Sequence, residues 1–279
     1  MKPSAQVREP AVAGTFYPRN STVLRSEIGD FLHQVPARDL RGEIVCLISP
    51  HAGYMFSGFT AANGFNLLAG KSYQTVVIIS PSHREYFDGV SVYSGDAYRT
   101  PLGEVEIDRE LREEIVRDHG SIVVSQLGHR EEHAVEVQIP FLQEVLPSFM
   151  ILPVVMGDQR REYCFFLGER LGNILKDRNT LVVASTDLSH YYQYDVCRKL
   201  DSIFIESVAA FDYERLMRDL ESERTEACGG GPTVAAMIAA KNIGALKSEI
   251  LHQCNSGDVA GNKSQVVGYL SAVLLQESS

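Results

Sequence analysis

The sequence lacks the features that mark several common classes of protein. No cluster of lysine and arginine stands out and the formal net charge is -10, so the basic surface that binds nucleic acid is missing. An anionic membrane surface is an equally poor partner for an acidic chain. No apolar run approaches the length that spans a bilayer, and the first residues show no apolar segment typical of a secretory signal. We therefore expect neither nucleic acid nor a membrane as a partner.

Cysteine is scarce and scattered. No C-x-x-C pair occurs, which argues against a zinc ribbon and against a thioredoxin-like motif. An odd number of widely separated thiols is typical of a reducing compartment, so we expect a cytoplasmic location. The five cysteines are Cys46, Cys164, Cys197, Cys228 and Cys254.

What the sequence does contain is a long alternation of strand-like and helical patterns. The 279 residues are 44% hydrophobic, enough for a substantial core. The alternation predicts an α/β fold, a layered α/β/α single domain spanning 1–279 with a mixed, largely parallel central sheet. Hairpin-like patterns over 89–106 make the sheet mixed. Strands are predicted at about 43–48, 75–79, 122–126, 150–156, 181–184, 248–253 and 266–275. Helices are predicted at about 21–35, 58–69, 109–119, 132–146, 161–176, 195–210, 212–220 and 232–244.

Two of the predicted strands are followed by a Ser-Pro pair and then, within two residues, by a histidine. Residues 44–48 are followed by Ser-Pro and His51, and residues 76–79 by Ser-Pro-Ser and His83. Ligands of open α/β sheets bind outside the carboxyl ends of the strands, and proline stiffens each loop. The pattern therefore predicts two neutral imidazole ligands for a metal. Hydrogen-bonded loop histidines without a ligand role are the alternative.

A third predicted strand, 181–184, is followed by Asp187 and His190. These side chains could act as a general acid and base, or could fix the tautomer of a metal-binding imidazole. The alternative is an aspartate that caps a helix beside an exposed histidine.

Cys228 precedes three glycines and Pro232, just before a predicted helix. The helix dipole and free N–H groups there favour a thiolate, and glycines let the backbone approach another group closely. The alternative is a flexible loop with an incidental cysteine.

Three further residues are candidates for the wall of the pocket. His133 and Glu136 are three apart at the start of a predicted helix, so they share a face. Tyr54 closely follows His51 in the chain. For His133, solvation on the helix surface is the alternative.

These segments together resemble the Memo family, also called AmmeMemoRadiSam system protein B. The most specific are Pro-His-Ala-Gly-Tyr at 50–54, Pro-Ser-His at 81–83 and Cys-Gly-Gly-Gly-Pro at 228–232. One small departure is Ala134, where many members carry serine. The resemblance runs from near residue 8 to near residue 270. The matching segments are 13–18, 50–54, 81–83, 132–136, 185–190 and 228–232.

The resemblance implies a fold like that of the LigB-type class III extradiol dioxygenases, which hold non-haem Fe(II) with two histidines and one carboxylate. The corresponding ligands here would be His51, His83 and Cys228, with His190 and Asp187 flanking the metal. The family is linked to redox chemistry through iron or copper, and its vertebrate relatives are regarded as recognising phosphotyrosine segments. A thiolate is softer than a carboxylate, which improves the site for copper or zinc.

Three hypotheses follow. The first is a mononuclear metal protein, with Fe(II) first and copper or zinc as alternatives, that keeps an open position for a small-molecule ligand or O₂ and serves an oxidoreductase role. The second is a thiol hydrolase in which a histidine activates Cys228. The third is a non-catalytic module that binds a peptide or phosphopeptide in the pocket.

Overall fold

A computed structural model describes residues 5–117 and 120–277. Strands and helices alternate along the chain, which confirms the predicted α/β class. The strands are β1 (Val7–Arg8), β2 (Glu43–Ser49), β3 (Thr75–Pro81), β4 (Val90–Tyr93), β5 (Ala97–Thr100), β6 (Gly103–Glu106), β7 (Ile122–Ser125), β8 (Met150–Met156), β9 (Thr180–Ser185), β10 (His190–Tyr192), β11 (Ala245–Asn255) and β12 (Val266–Gln276). The α-helices are α1 (Ser21–Gln34), α2 (Tyr54–Phe65), α3 (Arg109–Ile115), α4 (Ile139–Val145), α5 (Arg161–Leu175), α6 (Tyr194–Ala209), α7 (Tyr213–Glu221), α8 (Gly230–Ile243) and α9 (Ser256–Ala260). Short 3₁₀ helices cover Asn66–Leu68 and Glu136–Gln138.

The centre of the molecule is a nine-stranded mixed sheet. Its order is β10-β12-β2-β9-β3-β8-β4-β7, and β11 also pairs with β12. The four neighbours β2, β9, β3 and β8 are parallel, whereas β12 and β4 run antiparallel to the outer members of that group. Strands β1, β5 and β6 form a separate small sheet. A mixed sheet with a parallel centre is what the sequence predicted.

Helices cover both faces of this sheet. Along β3, Val77 and Ile79 belong to one hydrophobic cluster and Val76 and Ile78 to the other, as the two-residue period of a strand requires. The first cluster packs against α3, α5, α6, α7 and α8, and the second against α1, α2 and α4. Such continuous apolar strands are typical of parallel sheets buried on both faces. None of the helices within the described ranges has both the length and the apolar character needed to cross a membrane.

The largest error of the sequence prediction concerns the helix expected over 132–146. Its α-helical part begins only at Ile139, after the 3₁₀ turn, because the side chain of Glu132 accepts the backbone N–H of Ala134 and engages a distant loop. Side chain to backbone bonds of this kind compete with helix formation. The consequence is that His133 and Glu136 do not share a helical face.

Smaller differences concern the ends of other helices. The helix predicted over 58–69 begins at Tyr54 and gives way to the 3₁₀ turn after Phe65. The helix expected from Pro232 begins two residues earlier, at Gly230. The structure ends α3 at Ile115, and positions 118–119 of the predicted helix lie outside the described residues.

The parallel strands carry their loops to one edge of the sheet. β9 lies between β2 and β3, and Ser49 pairs with Ser185 at the ends of β2 and β9. The loops that carry His51, Asp187 and His83 therefore leave side by side.

Candidate functional site

Three potential metal ligands meet at this edge. One donor atom each from His51, His83 and Cys228 lies within 4.8 Å of the others. The His51 Nε2 and Cys228 Sγ atoms are 3.0 Å apart, and the two imidazole rings are 5.1 Å apart in an edge-on arrangement. His51 is buried, whereas the His83 side chain is 27% exposed. The sequence placed these residues 32 or more positions apart, and the fold brings them together.

The hydrogen bonds of Ser185 determine the tautomer of His51. The Ser185 hydroxyl donates to the carbonyl of Ala134 at 2.7 Å and accepts from Gln138 Nε2 at 2.8 Å. Because a hydroxyl has a single proton to give, its 2.9 Å contact with His51 Nδ1 must be one in which the imidazole donates. The proton therefore sits on Nδ1, and His51 Nε2 faces Cys228 without one.

The carboxylate of Glu132 orients His83 in the same way. It accepts the backbone N–H of His83 at 2.6 Å and the Nδ1–H at 2.9 Å, and also the backbone N–H of Ala134. Although burial by itself would raise the pKa of Glu132, the hydrogen bonds and charge of His83 lower it to about 2. The ionised carboxylate therefore keeps the proton on Nδ1 and leaves Nε2 of His83 free to bind a metal.

The glycines after Cys228 allow its loop to approach the end of β9. A Cβ atom at Gly229 would lie 2.2 Å from the carbonyl oxygen of Ser185, far inside contact distance. Gln159 holds the same loop from the other side, because its amide donates to the carbonyl of Cys228 at 2.7 Å and accepts from the N–H of Gly231 at 2.8 Å. Close backbone approach is what places the thiol beside His51.

Burial decides the protonation of the Cys228 thiol. Burial, and then the Asp187 carboxyl, raise the pKa of Cys228 well above its ordinary value. Burial and the charge of His83 lower the pKa of His51 well below its own. The sequence predicts a thiolate favoured by the dipole of α8. In the protein alone, desolvation outweighs that dipole and both groups stay neutral.

Asp187 and His190 flank the three donors. The buried Asp187 carboxylate accepts the backbone N–H of His51 at 2.8 Å, and its own backbone N–H donates to Cys228 Sγ at 3.3 Å. Burial raises the pKa of Asp187. His190 lies half-buried on the wall of the adjoining cavity, and its backbone N–H is fixed by Glu226.

A cavity of about 660 Å³ opens beside the donors, and His51, His83, His133, Asp187 and His190 all line it. The ring of His133 stacks on that of His83 with centroids 4.7 Å apart. Burial, followed by the charge of His51, lowers the pKa of His133 to about 4, so its imidazole is neutral.

Two of the expected pocket residues lie elsewhere. Tyr54 is buried in the core, where its hydroxyl donates to the carbonyl of Val137 at 2.7 Å. Glu136 is fully buried in an ion pair with Arg8 and accepts the hydroxyl of Tyr17. Neither residue is part of the cavity wall. Glu136 turns away because the helix that would have aligned it with His133 begins only after it.

Sequence reasoning missed the residues that orient the two imidazoles. Glu132 lies 49 positions from His83, and Ser185 lies 134 positions from His51. The only local signals were an acid beside His133 and a serine at the end of a predicted strand. Neither signal identifies a partner so distant in the chain.

Comparisons with known proteins agree with the motifs. The family described as Memo-like protein matches residues 8–273. A MEMO1 family protein of Nitrosopumilus maritimus is 37% identical over 268 residues, covering 94% of this chain and 98% of the relative. One of Methanopyrus kandleri is 40% identical over 277 residues (95% and 98%), and one of Aquifex aeolicus is 38% identical over 271 residues (97% and 100%). The resemblance seen in the motifs is confirmed, and the chain belongs to the Memo family.

Proposed function

We propose that this protein binds one iron(II) ion through His51 Nε2, His83 Nε2 and Cys228 Sγ and serves a redox-linked role. The observation that carries the proposal is the pair of hydrogen bonds that the two imidazoles donate through Nδ1–H, which makes Nε2 the unprotonated nitrogen of each ring in its neutral form. Metal-binding histidines almost always donate their other ring N–H in this way. We propose iron as the first choice of metal because of the family resemblance. Copper or zinc would also suit two imidazoles and a thiolate.

The buried acidic groups near the three donors favour the binding of a cation. Two carboxyl groups are buried beside the three donors, that of Glu132, which is ionised, and that of Asp187, whose pKa burial raises. In the described part of the chain, no lysine or arginine lines the cavity. Buried negative charge is costly unless it is paired. A divalent ion would balance these groups and would favour loss of the proton from Cys228.

The remaining residues fit an open metal site. Three protein ligands leave positions for a small molecule or O₂, which would enter through the cavity. A bound iron would supply redox and Lewis-acid chemistry there. The groups placed to take up or release a proton are Asp187, which burial inclines to hold one, and His190 on the cavity wall.

The test is metal binding under anaerobic, reducing conditions. Chelator-treated protein is titrated with iron(II), copper(I) and zinc(II), and bound metal is counted by elemental analysis. We expect one metal per chain, and binding at least about 10-fold weaker in Cys228→Ser because a ligand is lost. Cys254→Ser, a change at another half-buried thiol, is the matched control and should bind like the unaltered protein. Failure of the unaltered protein to bind stoichiometric iron or copper would overturn the proposal.

The thiol hydrolase hypothesis makes a different prediction about Cys228. Its 3.0 Å contact with His51 has the spacing of a nucleophile and its base. The raised pKa of Cys228 and the lowered pKa of His51, however, oppose the thiolate–imidazolium pair that such enzymes use. We expect slow alkylation of Cys228 by iodoacetamide in the metal-free protein at neutral pH, and protection by bound metal. Rapid alkylation of the metal-free thiol would favour the hydrolase.

A further inference from the structure

Strand β11 lies at one edge of the large sheet. In the described part of the chain it pairs with β12 on one side and with no strand on the other. Its eleven residues, Ala245–Asn255, make it about twice as long as a typical strand. In an antiparallel strand, every second residue turns its N–H and C=O groups away from the partner. β11 therefore offers a row of backbone donors and acceptors to a further strand.

Two bulges define the open part of this edge. The pairing with β12 is irregular at Leu246 and again at Leu251, and it is regular between them. At the second bulge the Arg38 guanidinium donates to the carbonyl of Leu251, so the edge is occupied there. The stretch 246–250 is open to solvent by contrast, because Leu246 is 69% exposed and the Lys247 side chain 63% exposed. Five such residues are enough to pair with another strand.

The side chains of this stretch are complementary to themselves. When a strand pairs antiparallel with its own copy, residues at equal distances before and after the centre lie opposite each other. With Ser248 at the centre, Lys247 would lie opposite the partner's Glu249. Leu246 would lie opposite the partner's Ile250. Opposite charges and apolar side chains placed directly across from each other stabilise antiparallel strands.

The two faces of β11 keep the two kinds of pair apart. Lys247 and Glu249 lie on the same face, where they already form an ion pair within the chain. Ile250 packs against the hydrophobic cluster on the other face. In the pairing, two lysines and two glutamates would therefore form a square of alternating charge on one face, while the apolar side chains meet on the other.

The charge pattern also selects the register. The neighbouring registers of the same kind would be centred on Lys247 or on Glu249, and each would place two like charges directly opposite each other. A lysine and bulges on an edge strand commonly prevent pairing with other chains. Here the bulges lie at the limits of the open stretch, and the lysine has a glutamate at the mirror-image position. The same charges that oppose other strands therefore favour a copy of this one.

We propose that a second copy of this chain pairs with β11, antiparallel and centred on Ser248, so that the two nine-stranded sheets join into one. The interface is of the two-fold kind in which the same patch of both subunits is used. Because few residues of each chain take part, the dimer is weaker than an obligate one and forms as the concentration rises. None of these residues belongs to the candidate metal ligands, so the inference does not depend on the proposed function.

The test is the oligomeric state, measured by analytical ultracentrifugation in a reducing buffer so that thiols do not crosslink the chains. We expect the unaltered protein to pass from monomer to dimer between about 1 μM and about 1 mM. Lys247→Glu and Glu249→Lys each place like charges opposite each other. We expect each variant to self-associate at least about 10-fold more weakly.

Mixing the two variants tests the register directly. A Lys247→Glu chain carries two glutamates and a Glu249→Lys chain carries two lysines, so every acid of one faces a base of the other. An equimolar mixture should form a mixed dimer at least as tight as that of the unaltered protein. A purely structural effect of either substitution would not produce this recovery.

The matched control is Glu113→Lys, the same change of charge at an exposed position of α3. This helix lies at the other end of the sheet, where Arg112 donates to the carbonyl of Tyr93 in β4. The control should dimerise like the unaltered protein, and circular dichroism checks the fold of each variant. A protein that stays monomeric up to about 1 mM, a dimer unchanged in both single variants, or variants that fail to associate with each other would each overturn the proposal.

Discussion

A histidine binds a metal only through a ring nitrogen that carries no proton, and in this protein two neighbouring side chains decide which nitrogen that is. The Ser185 hydroxyl fixes His51, and the Glu132 carboxylate fixes His83. The Glu132 carboxylate lies 2.9 Å from His83 Nδ1 and 3.3 Å from His133 Nδ1, and because it occupies the ring nitrogen of His83 that faces away from Cys228, we assign it a positioning role. It also holds the backbone of the same loop, because it accepts the N–H of His83.

Replacing Glu132 with glutamine should weaken metal binding without unfolding the protein. The amide keeps one acceptor oxygen but turns the other into a donor, and because the two N–H groups of His83 bond to different oxygens of Glu132, one of them would face a donor. We expect metal affinity to fall by about 10- to 100-fold, as is typical when such a supporting group is lost. Glu131→Gln is the control, since Glu131 is exposed and adjacent in sequence. Affinity unchanged in Glu132→Gln, with the fold intact by circular dichroism, would contradict the positioning role.

Glu136 should matter for stability and not for the cavity. Glu136→Ala would leave Arg8 buried without its partner, which costs about 3 to 5 kcal/mol for an ion pair of this kind. The measurement is the free energy of unfolding in urea. The control is Glu206→Ala, which breaks the exposed pair with Arg215 and should cost less than about 1 kcal/mol. A large loss of metal affinity in folded Glu136→Ala would contradict this prediction and show that Glu136 contributes to the metal site.

At this scale the sequence predicted which candidate ligands the fold brings together better than it predicted the groups that orient them. His51 and His83 follow apolar strands, and strand ends meet at one edge of a sheet. Cys228 was detectable because glycines and a helix start surround it. Glu132 and Ser185 could not be identified, because their roles depend on which distant side chain the fold brings within hydrogen-bond distance.

At the scale of elements, the loop between Cys228 and α8 determines the position of the thiol. Its backbone passes so close to β9 that a methyl group at Gly229 would collide with a carbonyl oxygen, which is backbone and not a flexible side chain. The N–H of Gly229 also donates to the Thr186 hydroxyl at 3.0 Å. The loop is therefore fixed against the strand end from which Asp187 emerges.

Gly229→Ala should move Cys228 away from His51. We expect weaker metal binding together with a loss of stability of about 1 to 3 kcal/mol, the usual cost of overpacking. Gly29→Ala provides the contrast, because a Cβ there meets nothing within 4 Å and Gly29 lies inside α1. That substitution should raise the free energy of unfolding by about 0.5 to 1 kcal/mol and leave metal binding unchanged. Normal metal affinity in Gly229→Ala would show that the close approach does not position the thiol.

The elements themselves were predicted well where an apolar period was long. No comparable pattern marks β1 or β10, which are only two and three residues long. The predicted α-helix does not begin at residue 132, because the Glu132 carboxylate accepts hydrogen bonds from His83 and Ala134. These contacts outweigh the local preference for a helix.

On the scale of the whole molecule, several imidazoles are buried in their neutral form. Burial lowers the pKa of His129 to about 3, and that of His133 to about 4. His129 lies outside the cavity beside His51 and His83, between the hydroxyl of Tyr98 at 2.8 Å and the carbonyl of Ser91 at 3.2 Å. In the unfolded chain the same imidazoles take up protons near pH 6.5. Between that pH and the lower folded pKa values, the unfolded state therefore binds more protons.

The protein should lose stability as the pH falls below neutrality. Each such imidazole contributes a decrease of up to about 1.4 kcal/mol per pH unit below about pH 6.5, until its folded pKa is reached. Urea unfolding of chelator-treated protein, measured at intervals from about pH 7 to about pH 5, gives this slope. His129→Gln removes one titrating group, so it should reduce the slope of the unfolding free energy against pH by up to about 1.4 kcal/mol per pH unit. This holds even if the variant is less stable overall. His33→Gln, a change at an exposed histidine, should keep the slope of the unaltered protein. An identical slope in His129→Gln would show that the imidazole of His129 is protonated in the folded state as readily as in the unfolded one.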